Sequence, residues 1–323
     1  MLRRVAAPLL LCLFLAACGG DGDDESASAG KAQEPQDASV KLIQRNPDNA
    51  SKTLTIGSKN FTEEFILGEI YAQALQAGGY KVRKRLDFGS ELVTFEGVKQ
   101  GKIDAYPEYT GTALTTFFDV PPDEIPRDEQ AAFEAAKAGF AKHGLTALPP
   151  TPFTNSNAVG MTQARAAELG VQTISDLKRH ADSLTLSGSP ECRRRLDCKL
   201  GLERTYGLAF ERYLPTELPD RHAVLTSGKA DVSIVFSTDG QIAADDLLVL
   251  EDDKQLFPPY NVTLVVNDKA AAAAGPDLPK IVAQVQQDLS TKVMQELNSR
   301  VDLDKEKPAA VARAYLQQFG YTE

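Results

Sequence analysis

Gly101-Lys102-Ile103-Asp104 is followed, five residues after its Asp, by Tyr109-Thr110, and Gly228-Lys229-Ala230-Asp231 is followed at the same spacing by Phe236-Ser237. A second echo precedes each copy. Leu54-Thr55-Ile56-Gly57-Ser58-Lys59 and Asn157-Ala158-Val159-Gly160-Met161-Thr162 are both short β-rich runs broken by Gly. The repetition predicts two lobes of related topology. With the aromatic and hydroxyl residues at a strand-to-helix junction in each lobe, the junctions can face one another across a cleft, because open α/β sheets bind ligands at the carboxyl ends of their strands. Asp104 and Asp231 read as strand-end or turn residues.

Outward from these runs, strands and helices alternate. Residues 54–57 read as a strand, and Asn60 as the cap of the next helix with Glu63 completing a capping box. Ile66, Leu67, Ile70, Tyr71, Ala74 and Leu75 recur at spacings of three and four, an amphipathic helix closed by Gly78-Gly79 that places Tyr71 in the core. Strands over 82–86, 103–106 and 145–148 and helices over 92–99, 112–118 and 128–142 complete the first half. Pro149-Pro150-Thr151-Pro152 marks an extended crossover. Leu256-Phe257-Pro258-Pro259-Tyr260 marks the return, after which a strand over 261–266 and helices over 278–298 and 309–319 rejoin the first lobe. Lobe 1 is thus expected from 53–151 plus 256–323 and lobe 2 from 152–255, hinged by two crossovers and able to close on a ligand.

Arg3 and Arg4 precede the apolar run from Ala6 to Phe14, the pattern of an export signal and too short to span a bilayer. Leu15-Ala16-Ala17-Cys18 resembles the bacterial lipobox. That resemblance implies a signal peptide of residues 1–17, a lipid on Cys18 as the mature N-terminus, and a place on the outer face of the cytoplasmic membrane or in the periplasm. Residues 18–52, rich in Asp, Glu, Ser, Ala and Gly without an apolar period, read as a flexible linker. Loss of the signal removes two Arg and no acid, taking the formal charge from −10 to −12, so nucleic acid is not an expected partner. Cys192 and Cys198, six apart in an exported chain, read as a short-loop disulfide. His143, His180 and His222 lack ligand spacing and read as surface residues, so neither a metal nor another cofactor is expected. No Gly-x-Ser-x-Gly elbow or His-paired nucleophile is recognisable, which argues against an exported hydrolase or any other enzyme.

Several motifs in order narrow the reading. Gly57-Ser58-Lys59-Asn60-Phe61-Thr62-Glu63-Glu64, Asp104-Ala105-Tyr106-Pro107-Glu108-Tyr109-Thr110-Gly111-Thr112, Tyr206-Gly207-Leu208, Phe236-Ser237-Thr238-Asp239-Gly240 and Leu250-Glu251-Asp252-Asp253 together resemble the substrate-binding proteins of the glycine betaine, carnitine and choline ABC importers. The resemblance runs from Thr53 onward. It implies a two-lobed periplasmic-binding-protein fold of the second type, an α/β architecture of two mixed sheets, in a monomer that hands a small solute to a membrane permease. A quaternary ammonium donates no hydrogen bonds and must be held by aromatic faces at roughly 0.5–2 kcal/mol each. The family pattern puts such walls at Tyr109 and Phe236, the positions the internal repeat selects. It puts Asn157 where a third ring usually stands and Glu64 where many relatives carry an amide, with Thr112 beside the cage. Lys59, Asn60, Thr110, Ser237 and Thr238 complete the candidate set. Lys59, the Thr110 and Ser237 hydroxyls and N–H groups after Ser58 and Phe236 are candidates for the anionic end of a ligand. Lys59 also reads as a solvated rim charge, and Asp239 as a helix N-terminal cap. A different solute, ergothioneine-like or amino-acid-like, and a solute-sensing role without transport remain open alternatives.

Overall fold

The computed structural model describes residues 41–323. The expected signal peptide, the lipidated Cys18 and the linker as far as residue 40 lie outside the described residues. The expected linker does not extend to residue 52. Ile43 is buried in the core and its N–H donates to the Tyr321 carbonyl, while Asn46 and Asn49 donate to Asp277 and Lys52 to the Ala274 carbonyl, so the segment docks on the helices that end the chain.

Among the described residues, ten strands build two five-stranded sheets. The first runs β2 (Lys81–Gly89), β1 (Thr53–Lys59), β3 (Ala105–Tyr109), β10 (Val262–Asn267), β4 (Leu145–Ala147); the second runs β7 (Arg212–Pro215), β6 (Thr185–Gly188), β8 (Val232–Phe236), β5 (Asn157–Thr162), β9 (Leu247–Val249). In each, three strands are parallel and the fourth, β10 or β5, enters antiparallel. Both faces of the first sheet are covered. Val262, Leu264 and Val266 join one apolar cluster while Val265 joins another, the period of two expected of a strand buried on both sides.

The internal repeat is structural. Gly101 and Gly228 take φ of +66° and +68°, where a side chain would be strained. The Lys102 and Lys229 carbonyls then accept from Arg85 and Arg212, and the Asp104 and Asp231 carboxylates from the backbone N–H of Thr55 and Thr185. Each Gly-Lys-x-Asp is therefore a turn that clamps the strand beside it. This corrects the second echo. Thr185 belongs to β6, so β6 is the counterpart of β1, and the Asn157–Thr162 run corresponds instead to β10.

Helix α1 (Thr62–Ala77) carries Tyr71 fully buried, its hydroxyl accepting from Gln286. Its cap is Phe61, without a side-chain bond, so the capping box expected from Asn60 and Glu63 is absent; the Glu63 carboxylate is used elsewhere. The helix expected over 278–298 is two, Asp277–Gln286 and Thr291–Asp302, because Ser290 caps the second through the Val293 N–H. The two Pro-rich crossovers run side by side. Thr151 N–H donates to the Val262 carbonyl, Asn155 N–H to the Tyr260 carbonyl, and Asn261 Nδ2 to the Thr151 and Phe153 carbonyls.

Candidate ligand-binding site

β3 ends at Tyr109 and turns at once into a helix beginning at Thr110; β8 ends at Phe236. Between these ends lies a cavity of about 150 Å³, room for a molecule on the scale of benzene. Tyr109, Phe236, Tyr260 and Phe61 supply its rings, and Lys59, Asn60, Thr112, Asn155 and Asn157 line it as well. Gly111 explains how Tyr260 arrives: a Cβ there would stand 2.7 Å from the Tyr260 ring, so only glycine lets the return crossover pack so closely on the turn after Tyr109. Asn157 sits opposite Phe236 in the β5–β8 register.

Charges line the cavity in equal numbers, Lys59, Arg195 and Arg221 against Glu91, Glu191 and Glu217. The cations are held by deeper carboxylates. Lys59 contacts Glu108, lies 3.6 Å from Glu64, and sits 4.5 Å above the Tyr109 ring centroid. Burial acts to depress its pKa, and Glu108 with Glu64 outweighs that, keeping Lys59 charged. Glu64 goes the other way. Burial, with Glu108 adding to it against Lys59, pushes its carboxyl up to about 8, and its Oε1, 3.6 Å from Lys59, accepts no hydrogen bond. Arg221 chelates Asp239, which also meets His222 Nε2 at 2.8 Å and the Phe236 N–H, and the guanidinium stacks 4.7 Å from the Phe236 ring. Burial opposes the charge on Asp239, yet Arg221 and His222 bring its pKa down to about 2. Arg195 forks onto Asp197 and reaches Glu91 at 3.1 Å, while Asp197 accepts from Asn157 and Tyr260. Arg195 and Asp197 ride on the loop closed by the Cys192–Cys198 disulfide, whose two cysteines themselves line the cavity.

Residues 52–318 match the OpuAC family, the substrate binding domain of ABC-type glycine betaine transport systems. The chain belongs to this family. It is similar to the glycine-betaine-binding protein of Pseudomonas aeruginosa, 33% identical over 83% of this chain and 88% of that one. It is similar to the ergothioneine transport permease/ergothioneine binding protein EgtU of Helicobacter pylori, 28% identical over 86% of this chain and 50% of that longer protein. A crystal structure of a glycine betaine/carnitine/choline ABC transporter protein superposes with a TM-score of 0.67 at 28% identity, covering 83% of this chain and 99% of that one. The two mixed sheets are thus those of the two-lobed periplasmic substrate-binding fold.

Of the residues singled out in the sequence of this OpuAC-family chain, Lys59, Asn60, Tyr109, Thr112, Asn157 and Phe236 line the cavity. Four do not. Thr110 Oγ1 donates to the Pro259 carbonyl and Ser237 Oγ accepts from the Ser156 N–H, so each hydroxyl ties its lobe to a crossover. Thr238 is buried on Glu63, and Glu64 is buried behind Lys59. The N–H groups expected for an anion are also taken: Lys59 N–H by Glu64, Phe236 N–H by Asp239 and Ser237 N–H by the Ser156 carbonyl. Asp239 is an ion-pair partner and not a helix cap, because Gly240 precedes the short helix at Gln241–Ala244. His222, expected at the surface, is buried against Asp239. Sequence reasoning missed Asn155, Arg195, Arg221 and Tyr260 on the cavity. Arg195 had a signal in the Arg193-Arg194-Arg195 run between the cysteines; Arg221 had none. Among the described residues no group of three or more His, Cys, Asp or Glu could hold a metal, and no helix is long and apolar enough to cross a membrane.

Proposed function

We propose that this protein is the extracytoplasmic solute-binding component of an ABC importer that closes on one small zwitterion with a methylated or otherwise apolar cationic end, and passes it unchanged to a membrane permease. The observation that carries the reading is the cavity itself: rings from both lobes and the crossover converge on it, beside the three cations Lys59, Arg195 and Arg221. Rings and cations side by side suit a solute that carries both a cationic and an anionic end. The rings of Tyr109, Phe236 and Tyr260 would take the cationic end, and Lys59, Arg195 and Arg221 the carboxylate. Because Lys59 and Arg221 each already lie over a ring, a bare cation such as choline competes with the protein's own charges, so glycine betaine or carnitine should bind better than choline. The relatives' names support this range of solutes, ergothioneine included. The protein acts as a monomer held at the outer face of the membrane by a lipid on Cys18, with residues beyond it as a tether.

Calorimetry and thermal-shift measurements against glycine betaine, carnitine, choline, proline betaine, ergothioneine and polar amino acids test the proposal. One-to-one binding of at least one zwitterion is expected. Stabilisation by anions or neutral sugars alone would overturn the cavity reading.

A further inference from the structure

Asn155 and Asn157 stand two residues apart where the chain enters β5, and both line the cavity. Asn155 is 5% exposed, and its Oδ1 is buried with no hydrogen-bond partner. The orientation of its amide is fixed by Glu63. Glu63 Oε1 accepts from Tyr109 Oη and Asn155 Nδ2, and Oε2 from Thr238 Oγ1 and Asn298 Nδ2. Asn155 thus meets Glu63 through its Nδ2, and the Glu63 oxygens are each engaged by two groups, so none of these contacts reaches Asn155 Oδ1. Asn157 is oriented in the same way: its Nδ2 donates to the Asp197 carbonyl and carboxylate and to Tyr260 Oη, which turns the amide oxygen away from them. Both amides therefore spend their N–H groups on the protein, and Asn155 is left with an unpartnered oxygen in the lining of the cavity.

An amide oxygen is satisfied by an N–H or O–H, and a trimethylammonium has neither. Resting on the reading that the cavity takes a zwitterion, we infer that Asn155 and Asn157 select solutes whose cationic nitrogen, or an atom beside it, bears a hydrogen-bond donor. The class is that of zwitterions with a protonated secondary or tertiary amine, and fully methylated ammonium compounds are the weaker ligands.

Glycine betaine, N,N-dimethylglycine, sarcosine and glycine keep one carboxylate and one methylene while methyls give way to N–H stepwise, and calorimetric titration of the mature chain with each tests the inference. N,N-dimethylglycine or sarcosine is expected to bind at least about tenfold more tightly than glycine betaine. In Asn155→Ala, with folding checked by thermal melting, that preference should shrink to about threefold or less. Glycine betaine binding tightest in the unmodified protein would overturn the donor rule while leaving the zwitterion reading in place. No binding by any of the four, with choline or an anion bound instead, would overturn both.

Discussion

The Lys59 ammonium lies 4.5 Å over the Tyr109 ring, and the hydroxyl of the same ring donates to Glu63 at 2.7 Å, so Tyr109 has one role in its face and another in its oxygen. The two separate by substitution. Tyr109→Phe keeps the face and should leave solute affinity nearly unchanged while costing about 1 kcal/mol of stability, whereas Tyr109→Ala and Phe236→Ala should each weaken binding by about 1–2 kcal/mol. Tyr71→Ala, at a fully buried residue outside the cavity lining, should cost about 3–5 kcal/mol of stability. Affinity unchanged in both alanine variants at the cavity, with folding intact, would move the site elsewhere. Glu64 makes a different case. Its carboxyl, pushed up to about 8 by burial, keeps in the folded state a proton that the unfolded chain releases near pH 4.5. Stability from this group accordingly falls as pH rises from about 4.5 to 8. Glu64→Gln removes that slope, so the variant should gain on the parent by at least about 1 kcal/mol between pH 5 and pH 8 in denaturant titrations. An equal difference at both pH values would show that Glu64 does not titrate there.

The loop from Cys192 to Cys198 concentrates much of the site in seven residues: both half-cystines, Arg195 and Asp197, with Asn157, Tyr260 and Glu91 hung upon them. Replacing both cysteines by serine should cost about 2 kcal/mol of stability from the freed loop. Solute affinity should drop as well, because Arg195 and Asp197 lose their fixed backbone; a change in stability with affinity intact would mean that their own ion pairs suffice to place them. This loop also shows what the sequence makes legible. Local patterns carry over: the Cys spacing, the three-and-four periodicity of α1, and the Gly-Lys-x-Asp turns, whose recurrence revealed two related sheets. Patterns without a local partner do not. The Asn157–Thr162 run resembles Leu54–Lys59 in composition, yet strand composition does not encode sheet position, and only the clamp of Asp231 on Thr185 shows which strand matches β1. The break between the helices at Asp277–Gln286 and Thr291–Asp302 is hidden because buried Leu289 continues the apolar pattern through it. Arg221, Arg195 and Tyr260 take their meaning from Asp239, Glu91 and Asp197, residues that no spacing rule connects to them.

Glu63 joins elements of both lobes through four hydrogen bonds. It sits in the first turn of α1 and gathers donors from the end of β3, the first crossover, the turn after β8 and the helix Thr291–Asp302. That helix also reaches the second lobe directly, through Asn298 to the Thr238 carbonyl and Gln295 to the Ser237 carbonyl, while Arg195 and Glu91 bridge the cleft on the side of the disulfide loop. Burial raises the Glu63 pKa above the ordinary carboxylate range although its four hydrogen bonds oppose the shift, so ionisation of this group depends on bonds that come from both lobes. If Glu63 helps to hold this arrangement, Glu63→Ala should shift the solute-free protein toward more open states, whereas Glu91→Ala, which removes one bond of an already paired Arg195, should shift it less. Solute can still close the variant, but closure must then be driven by binding, so affinity falls by the fraction of molecules that no longer start closed. Small-angle scattering with and without solute measures both terms: Glu63→Ala should show a larger radius of gyration than the parent without solute and a similar one with it. Equal radii without solute would mean that the paired crossovers, and not Glu63, set the resting separation of the lobes.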